Sequence, residues 1–306
     1  MTVVTDPARP LDVPGSSGPA PTRPRRGSYS FNRISPQEKV LRYVLLVLVL
    51  LITIGPFLWQ LSTSLKASGE DIYTRIPRLL PSQPTFSHYG EVANTIPVWD
   101  YARNSLFVAV LVVGGNIVGA SLAGFALSRL QFKGRRIVLG LFLATLVLPG
   151  EVTIISQYVT VREFGLANTL FGVALPGMIG ALNVLLMFNA FRSLPIEVDQ
   201  AAIVDGANVW QRFVHIGLPS VRGTISVVAI FAFIGAWDDF LWPLIVLTDP
   251  DKYTLTVGLQ YLSGTFSNNP RLIAAGTMIA FVPIVIVFAT LQRFFFKGVE
   301  EGAVKG

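Results

Sequence analysis

The chain contains no cysteine, which removes disulfides and thiolate-bound metals from its chemistry. Histidine is almost as scarce: His88 and His215 are the two copies, and their separation offers no metal-ligand spacing. No Gly-Lys pair occurs, so no Walker A loop can cradle nucleotide phosphates; a Gly-x-Ser-x-Gly elbow and a His-x-x-x-His pair are missing too. Charge is thin, at 14% of 306 residues, where a soluble domain carries about a quarter. These absences exclude an ordinary soluble fold and point away from an enzyme: no catalytic residue, metal or cofactor is expected in this chain.

What is present is hydrophobic length. Apolar residues make up 52% of the chain and mean hydropathy is +0.57. A membrane crossing needs about 20 apolar residues for about 30 Å of hydrocarbon. Six stretches meet that requirement: Leu41–Leu61, Leu106–Leu127, Ile137–Tyr158, Thr169–Phe191, Ile225–Leu247 and Leu272–Phe295. Pro149-Gly150 interrupts the third and Pro176-Gly177 the fourth. Such breaks survive at membrane depth only inside protein or beside a wet cavity, and they permit bending. The expected fold is an all-α membrane protein with six transmembrane helices. In such a protein a net charge of +6 bears on orientation and contact with anionic lipids, and not on nucleic acid.

Between the fourth and fifth stretches lies a polar island, Pro195 to Pro219. Pro195 suits a first helical position, and Glu197 and Asp199 follow in the first turn, where carboxylates favour the positive end of the helix dipole. Ala201 and Ala202 add helix propensity without bulk, and Asp205-Gly206 stops the helix. A short helix, a break and a second short helix are predicted. The spacing Gln200-Ala201-Ala202, three residues, Gly206-Ala207, then Ile216-Gly217-Leu218-Pro219 resembles the "EAA" loop of the permease subunits of bacterial ABC importers. Gln200 stands where that pattern has Glu and carries no charge; Glu197 and Asp199 are acids that can stand in. The resemblance covers Leu41 to the C-terminus. It implies a type I importer permease fold in which residues 193–219 form a cytoplasmic coupling helix that docks into an ATP-hydrolysing subunit. A surface amphipathic loop with no partner is the plainer alternative.

Lys and Arg set the orientation. Roughly 17 basic residues, including Arg23, Arg25, Arg26, Arg129, Lys133, Arg135, Arg136, Arg192, Arg212 and Arg222, fall on the side of the island and both termini, against 7 on the other. Both termini and the island are therefore expected in the cytoplasm, in a bacterial inner membrane. Residues 1–40 are rich in Pro, Gly, Ser and Arg and read as a disordered basic tail, and residues 298–306 as a C-terminal tail, flanking a permease domain at 41–297. Arg25-Arg26 also fits a twin-arginine export signal, but the apolar run starts late, behind Glu38, Lys39 and Arg42.

Three further patterns carry information. Gly115, Gly119 and Ala123 form a stripe of small residues that lets helices approach closely, either within this chain or across a dimer seam. Lys66–Asn104, with His88-Tyr89 and Pro97-Val-Trp99, is the longest outer segment; it reads either as a packed loop with a short interfacial helix or, on the resemblance, as the neighbourhood of a docked solute-binding protein. Trp237-Asp238-Asp239-Phe240-Leu241-Trp242-Pro243 is similar to the Trp-Asn-x-Phe-x-x-Pro of carbohydrate-type permeases, with Asp238 at the Asn position. Aromatic rings beside carboxylates suit a sugar path, with Trp237, Asp238, Asp239, Phe240 and Trp242 as candidates; an interfacial aromatic belt explains them equally. Thr254-Leu-Thr-Val-Gly-Leu259 is a further pattern that those permeases show.

The resemblance thus implies an importer subunit like the smaller inner-membrane partner of maltose-type systems. It implies an ATPase dimer that uses ATP and Mg, a second permease, an external solute-binding protein, a sugar and surrounding lipid as partners. Glycerol phosphate or a polyamine is the alternative cargo. An ion-coupled secondary transporter, which would call for repeat halves, and a membrane enzyme are the remaining classes.

Overall fold

The computed structural model describes residues 35–73, 78–264 and 269–303, with side chains of the last helix described to residue 293. Among the described residues the regular structure is helical, apart from one isolated bridge between Lys66 and Pro84. The chain divides into two compact units, Met1–Thr53 and Ile54–Gly306.

The described part of the first unit is the opening of helix α1, Pro36–Leu65. The Ser35 hydroxyl accepts from the Glu38 amide at 3.2 Å, and Glu38 pairs with Arg42 one turn on at 2.7 Å. The helix begins at Pro36, so residues 36–40 of the expected tail are helical; residues 1–34 lie outside the described residues. From Val40 to Ile52 the large aliphatic side chains are exposed, as a lipid-facing helix requires.

The second unit is built on α2 (Ser87–Thr95) and α3 (Val98–Arg129). With 32 residues, α3 is about 48 Å long and starts well before the predicted Leu106. Then come α4 (Arg135–Val147), α5 (Gly150–Glu163), α6 (Leu170–Ala174) and α7 (Ala181–Ser193). The island follows, then α11 (Arg222–Trp237), α12 (Leu241–Val246), α13 (Leu255–Gly264) and α14 (Pro270–Ala303); the island's own helices are α8 to α10. Helix α3 is the central post, packed against α6, α7, α11 and α13. Three apolar clusters stack along it: Ile96, Tyr101, Phe233 and Leu272 near its start, Val108, Val112, Val173 and Val246 in the middle, and Phe125, Met187, Phe191 and Phe213 at its end.

Among the described residues, helices α1, α3 and α14 are long and apolar enough to cross a membrane, and the count reaches six if each of three bent pairs is taken as one span, the third of which joins the island's second limb to α11. The breaks are sharper than the sequence suggests. Helices α4 and α5 meet at 110° where Pro149 and Gly150 interrupt the third stretch. Each half is about 20 Å long, so neither crosses about 30 Å by itself. The Pro176-Gly177 break bends the fourth stretch by 43°. The fifth stretch is shorter than predicted: α11 stops at Trp237, and α12 turns away after the Asp238–Phe240 corner. Helix α14 runs on to Ala303 and takes in most of the expected C-terminal tail.

Close approach of α3 to its neighbours depends on glycine. A Cβ on Gly115 would stand 2.6 Å from Met178 Cβ, and one on Gly119 2.8 Å from Ile179 Cγ1. Ala123 packs against the cluster at the end of α3. The small-residue stripe therefore faces within this chain. A further close approach is at Gly124, where a Cβ would lie 2.6 Å from Met187 Cβ and 2.8 Å from the Phe188 nitrogen. Gly124→Val is expected to destabilise the protein by about 1–3 kcal/mol or more. The readout is the thermal unfolding midpoint in detergent; Gly114→Ala, at a helical position with nothing within 4 Å, should leave it unchanged or slightly raised.

Candidate functional site

The island opens with α8, Ile196–Val204. Pro195, predicted as the first helical residue, is instead the N-cap with ψ 135°, and the helix starts one residue later at Ile196. The helix ends as its sequence dictates: Gly206 takes φ 82°, its amide donates to Ile203 O at 3.0 Å, and the Ala207 amide reaches Ala202 O at 2.9 Å. Asn208 then caps the second limb reciprocally with Gln211, each side chain accepting from the other's amide at 2.8 Å. That limb comprises α9 (Val209–Gln211), a π-helical stretch Arg212–Gly217 and α10 (Leu218–Ser220), and it meets α11 at 79°.

Two arginines fix this bihelical unit. Arg212 grips Asp199 across the break, Nε to Oδ1 at 3.0 Å and Nη2 to Oδ2 at 3.2 Å, with the side chains only 10% and 17% exposed. Arg129, at the end of α3, donates to Phe191 O, which also accepts the Leu194 amide at 3.3 Å, and to Leu194 O, the carbonyl of the C-cap of α7. Asp199, predicted as an acid available to a partner, is therefore occupied inside the island. Ala202 is buried. Glu197, Gln200, Ala201, Asp205 and Pro219 are exposed, and Leu218 is half-buried. Ile196, Val198, Ile203, Val204 and Trp210 are also exposed, an apolar surface unusual for a polar turn.

A second feature lies along the middle of α3. A cavity of about 420 Å³ opens where the α4–α5 bend, the Pro176-Gly177 break and the α11–α12 corner converge. Asn116 organises its floor. The Asn116 Nδ2 donates to Val112 O at 2.9 Å and Gly177 O at 2.7 Å, while Oδ1 accepts from the Gly180 amide and from Asn183 Nδ2, both at 2.8 Å. This one side chain takes up a carbonyl and an amide, Gly177 O and Gly180 N, on the two sides of the break. Glu151, Gln157, Asn183 and Asp239 supply the other polar groups of the wall.

Of the five predicted path residues, Asp239 and Trp242 line this cavity, and Trp237, Asp238 and Phe240 do not. Trp237 is 3% exposed, stacked on Phe233, and its Nε1 donates to Ala280 O at 3.0 Å. Its ring ties α11 to α14 and has no face left for a sugar. Trp242 Nε1 likewise donates to Val173 O at 3.1 Å, so its indole N–H is spent on the fold. Asp238 is the exposed C-cap of α11. Sequence reading missed Asn116, Glu151, Gln157 and Asn183. The available signal was a polar residue inside an apolar run, which marks a functional position by default. Among the described residues no group of three or more His, Asp or Glu is placed to hold a metal ion.

The segment between α1 and α3 is packed at its centre. His88, 1% exposed, bonds Lys66 O at 3.1 Å, and the Tyr89 hydroxyl meets Ser64 Oγ at 2.8 Å. Trp99, Phe86 and Leu80 remain exposed on it. On the loop after α12, the Tyr253 hydroxyl is pushed up to about 12, first by its hydrogen bond with Tyr261 and then by burial, so it stays neutral at physiological pH.

The family model of binding-protein-dependent transport system inner membrane components matches residues 115–301, which include the island, the cavity floor and the α11–α12 corner. This chain belongs to that family. It is a permease, with the type I fold of ABC importers. Permease protein NgcG of the diacetylchitobiose uptake system of Streptomyces coelicolor is 32% identical over 86% of this chain and 88% of its own length. The inner membrane ABC transporter permease protein YcjP of Escherichia coli is 32% identical over 86% and 95%, and GanQ of the Bacillus subtilis galactooligosaccharides transport system 30% over 86% and 94%. Among solved structures, a chain of a bacterial ABC transporter involved in import of the acidic polysaccharide alginate superposes with TM-score 0.73 at 23% identity, over 86% of this permease and 99% of that chain.

The permease's Asp199–Arg212 pair is open to a direct test. Arg212→Gln strands a carboxylate that is mostly buried and should lower stability by about 3 kcal/mol. Adding Asp199→Asn should recover much of that loss, as read in the unfolding midpoints of the two variants.

Proposed function

We propose that this permease carries a saccharide, delivered by an external solute-binding protein, across a bacterial inner membrane on energy from a separate ATPase dimer, with a second permease completing the path. The observation that carries this reading is the rigid bihelical island with its exposed apolar surface. A turn between two spans has no need of Ile203, Val204 and Trp210 in water; a lever seated in a partner's groove does. The basic residues around it, Arg129, Lys133, Arg135, Arg136 and Arg192, support a cytoplasmic position for the island and both termini, where ATP and Mg would be used by the partner and not by this chain.

In this mechanism, closure of the ATPase pair on ATP moves the island as one body, because Asp199–Arg212 joins its limbs and Arg129 joins its root to α3. The bends at Pro149, Pro176 and Val221 let helix segments tilt and expose the cavity to alternate sides. The cargo shifts between states only through its differential contacts with them. The names of the relatives, which include diacetylchitobiose and galactooligosaccharides systems, support an oligosaccharide as cargo. Trp237 acts as a tie between helices, and Glu197, Gln200, Ala201, Asp205, Gly206 and Ala207 form the surface offered to the ATPase, with Leu218 and Pro219 at its foot.

Scrambling residues 200–206 in the complete importer tests the lever. Uptake of radiolabelled oligosaccharide should fall by an order of magnitude or more, with the ATPase lost from copurification or hydrolysing without transport. Uptake at the normal rate would overturn the reading.

A further inference from the structure

The charge of the cavity wall narrows the class of cargo, an inference that rests on the saccharide pathway proposed above. The charged side chains lining the cavity are Glu151 and Asp239, and none of its lining residues is Lys, Arg or His. The remaining polar wall is amide. Asn116 is spent on backbone groups and on Asn183, Gln157 donates to Thr153 Oγ1 at 2.8 Å, and Asn183, 7% exposed, donates to Asn116 while its buried Oδ1 has no hydrogen-bond partner. The two carboxyls make this a wall of acceptors, set among Val112, Ile154 and Trp242.

Such a wall suits hydroxyl donors. A neutral saccharide brings many, and an amino sugar adds an ammonium whose hydrogen bonds to a carboxylate are charge-assisted. A uronic acid or a sulfonated sugar brings an anion into an apolar-walled site at membrane depth. It would lose water there, find no cation in this wall, and face two carboxyls that repel it when ionised. We propose that this permease passes neutral and amino-bearing saccharides and turns away acidic ones, with Glu151 and Asp239 setting the selection. In this it would part company with the alginate importer whose chain it resembles in fold, since that transporter is involved in importing an acidic polysaccharide.

The test uses the complete importer in nanodiscs without its binding protein, so that the permease's own preference is read. Saturation-transfer NMR compares disaccharides of one size: neutral N,N′-diacetylchitobiose, cationic chitobiose and anionic digalacturonate. The neutral and cationic probes should bind, and the anion about tenfold more weakly or worse. Glu151→Gln and Asp239→Asn, near-isosteric and checked for unchanged copurification with the ATPase, should together close most of that gap while weakening chitobiose. Digalacturonate binding the unaltered importer as well as the neutral probe would overturn the proposal, as would discrimination that survives both substitutions. Transfer to none of the probes would instead remove the saccharide pathway on which it rests.

Discussion

A peptide group in hydrocarbon has no water to turn to, and this permease is organised by that constraint. Its helices are interrupted at Pro149, Pro176 and Val221, and each interruption releases N–H and C=O groups that must find protein partners. Asn116 answers the break after Pro176-Gly177 with two hydrogen bonds, to Gly177 O and from the Gly180 amide, and steadies itself with two more, to Val112 O and from Asn183. Because that answer comes from the middle of α3, the bend is pinned to the central post, and the cavity opens beside it. The break and the cavity are thus one construction: the polar group that makes irregular backbone tolerable also lines the space beside it.

The same economy governs the island. Where the chain leaves the bundle at the end of α7, Arg129 reaches from the end of α3 to the carbonyls of Phe191 and Leu194. Asp199 and Arg212 close the second joint. These contacts stiffen the unit and leave its apolar surface free, as the proposed force transmission would require. A flexible loop would absorb a partner's movement in its own dihedrals; a stapled pair of helices would pass it to α7 and α11, and through Phe125, Phe191 and Phe213 to the foot of α3.

Much of this was legible in the sequence. Aliphatic runs placed the helices because lipid imposes length and apolarity on every span, and Gly206 marked the end of α8 because that position needs a positive φ. Partnership across space was not legible. Trp237 and Asp238 looked like a sugar site because tryptophan and carboxylate are the right chemistry, yet residue type cannot say which way a ring points, and Trp237 turns toward Ala280. Asp199 looked free because Arg212 is thirteen positions away. Angles were equally hidden: Pro149-Gly150 announces an interruption, while its 110° is decided by what α4 and α5 pack against. Asn116 was overlooked between two glycines that drew attention to packing, although an amide in an apolar run was the better clue.

The π-helical stretch Arg212–Gly217 has a consequence for how such a chain can vary. Arg212 must meet Asp199, Phe213 must seat among aromatic rings, and Gly217 must slip beneath Phe191 and Phe125, all within one widened turn. Adding or removing a single residue there would rotate everything downstream by about 100° and misaim at least one of the three. Drift in this segment is therefore confined to exchange of side chains at constant length. The spacing from Gly206 to Pro219 is a ruler kept by geometry.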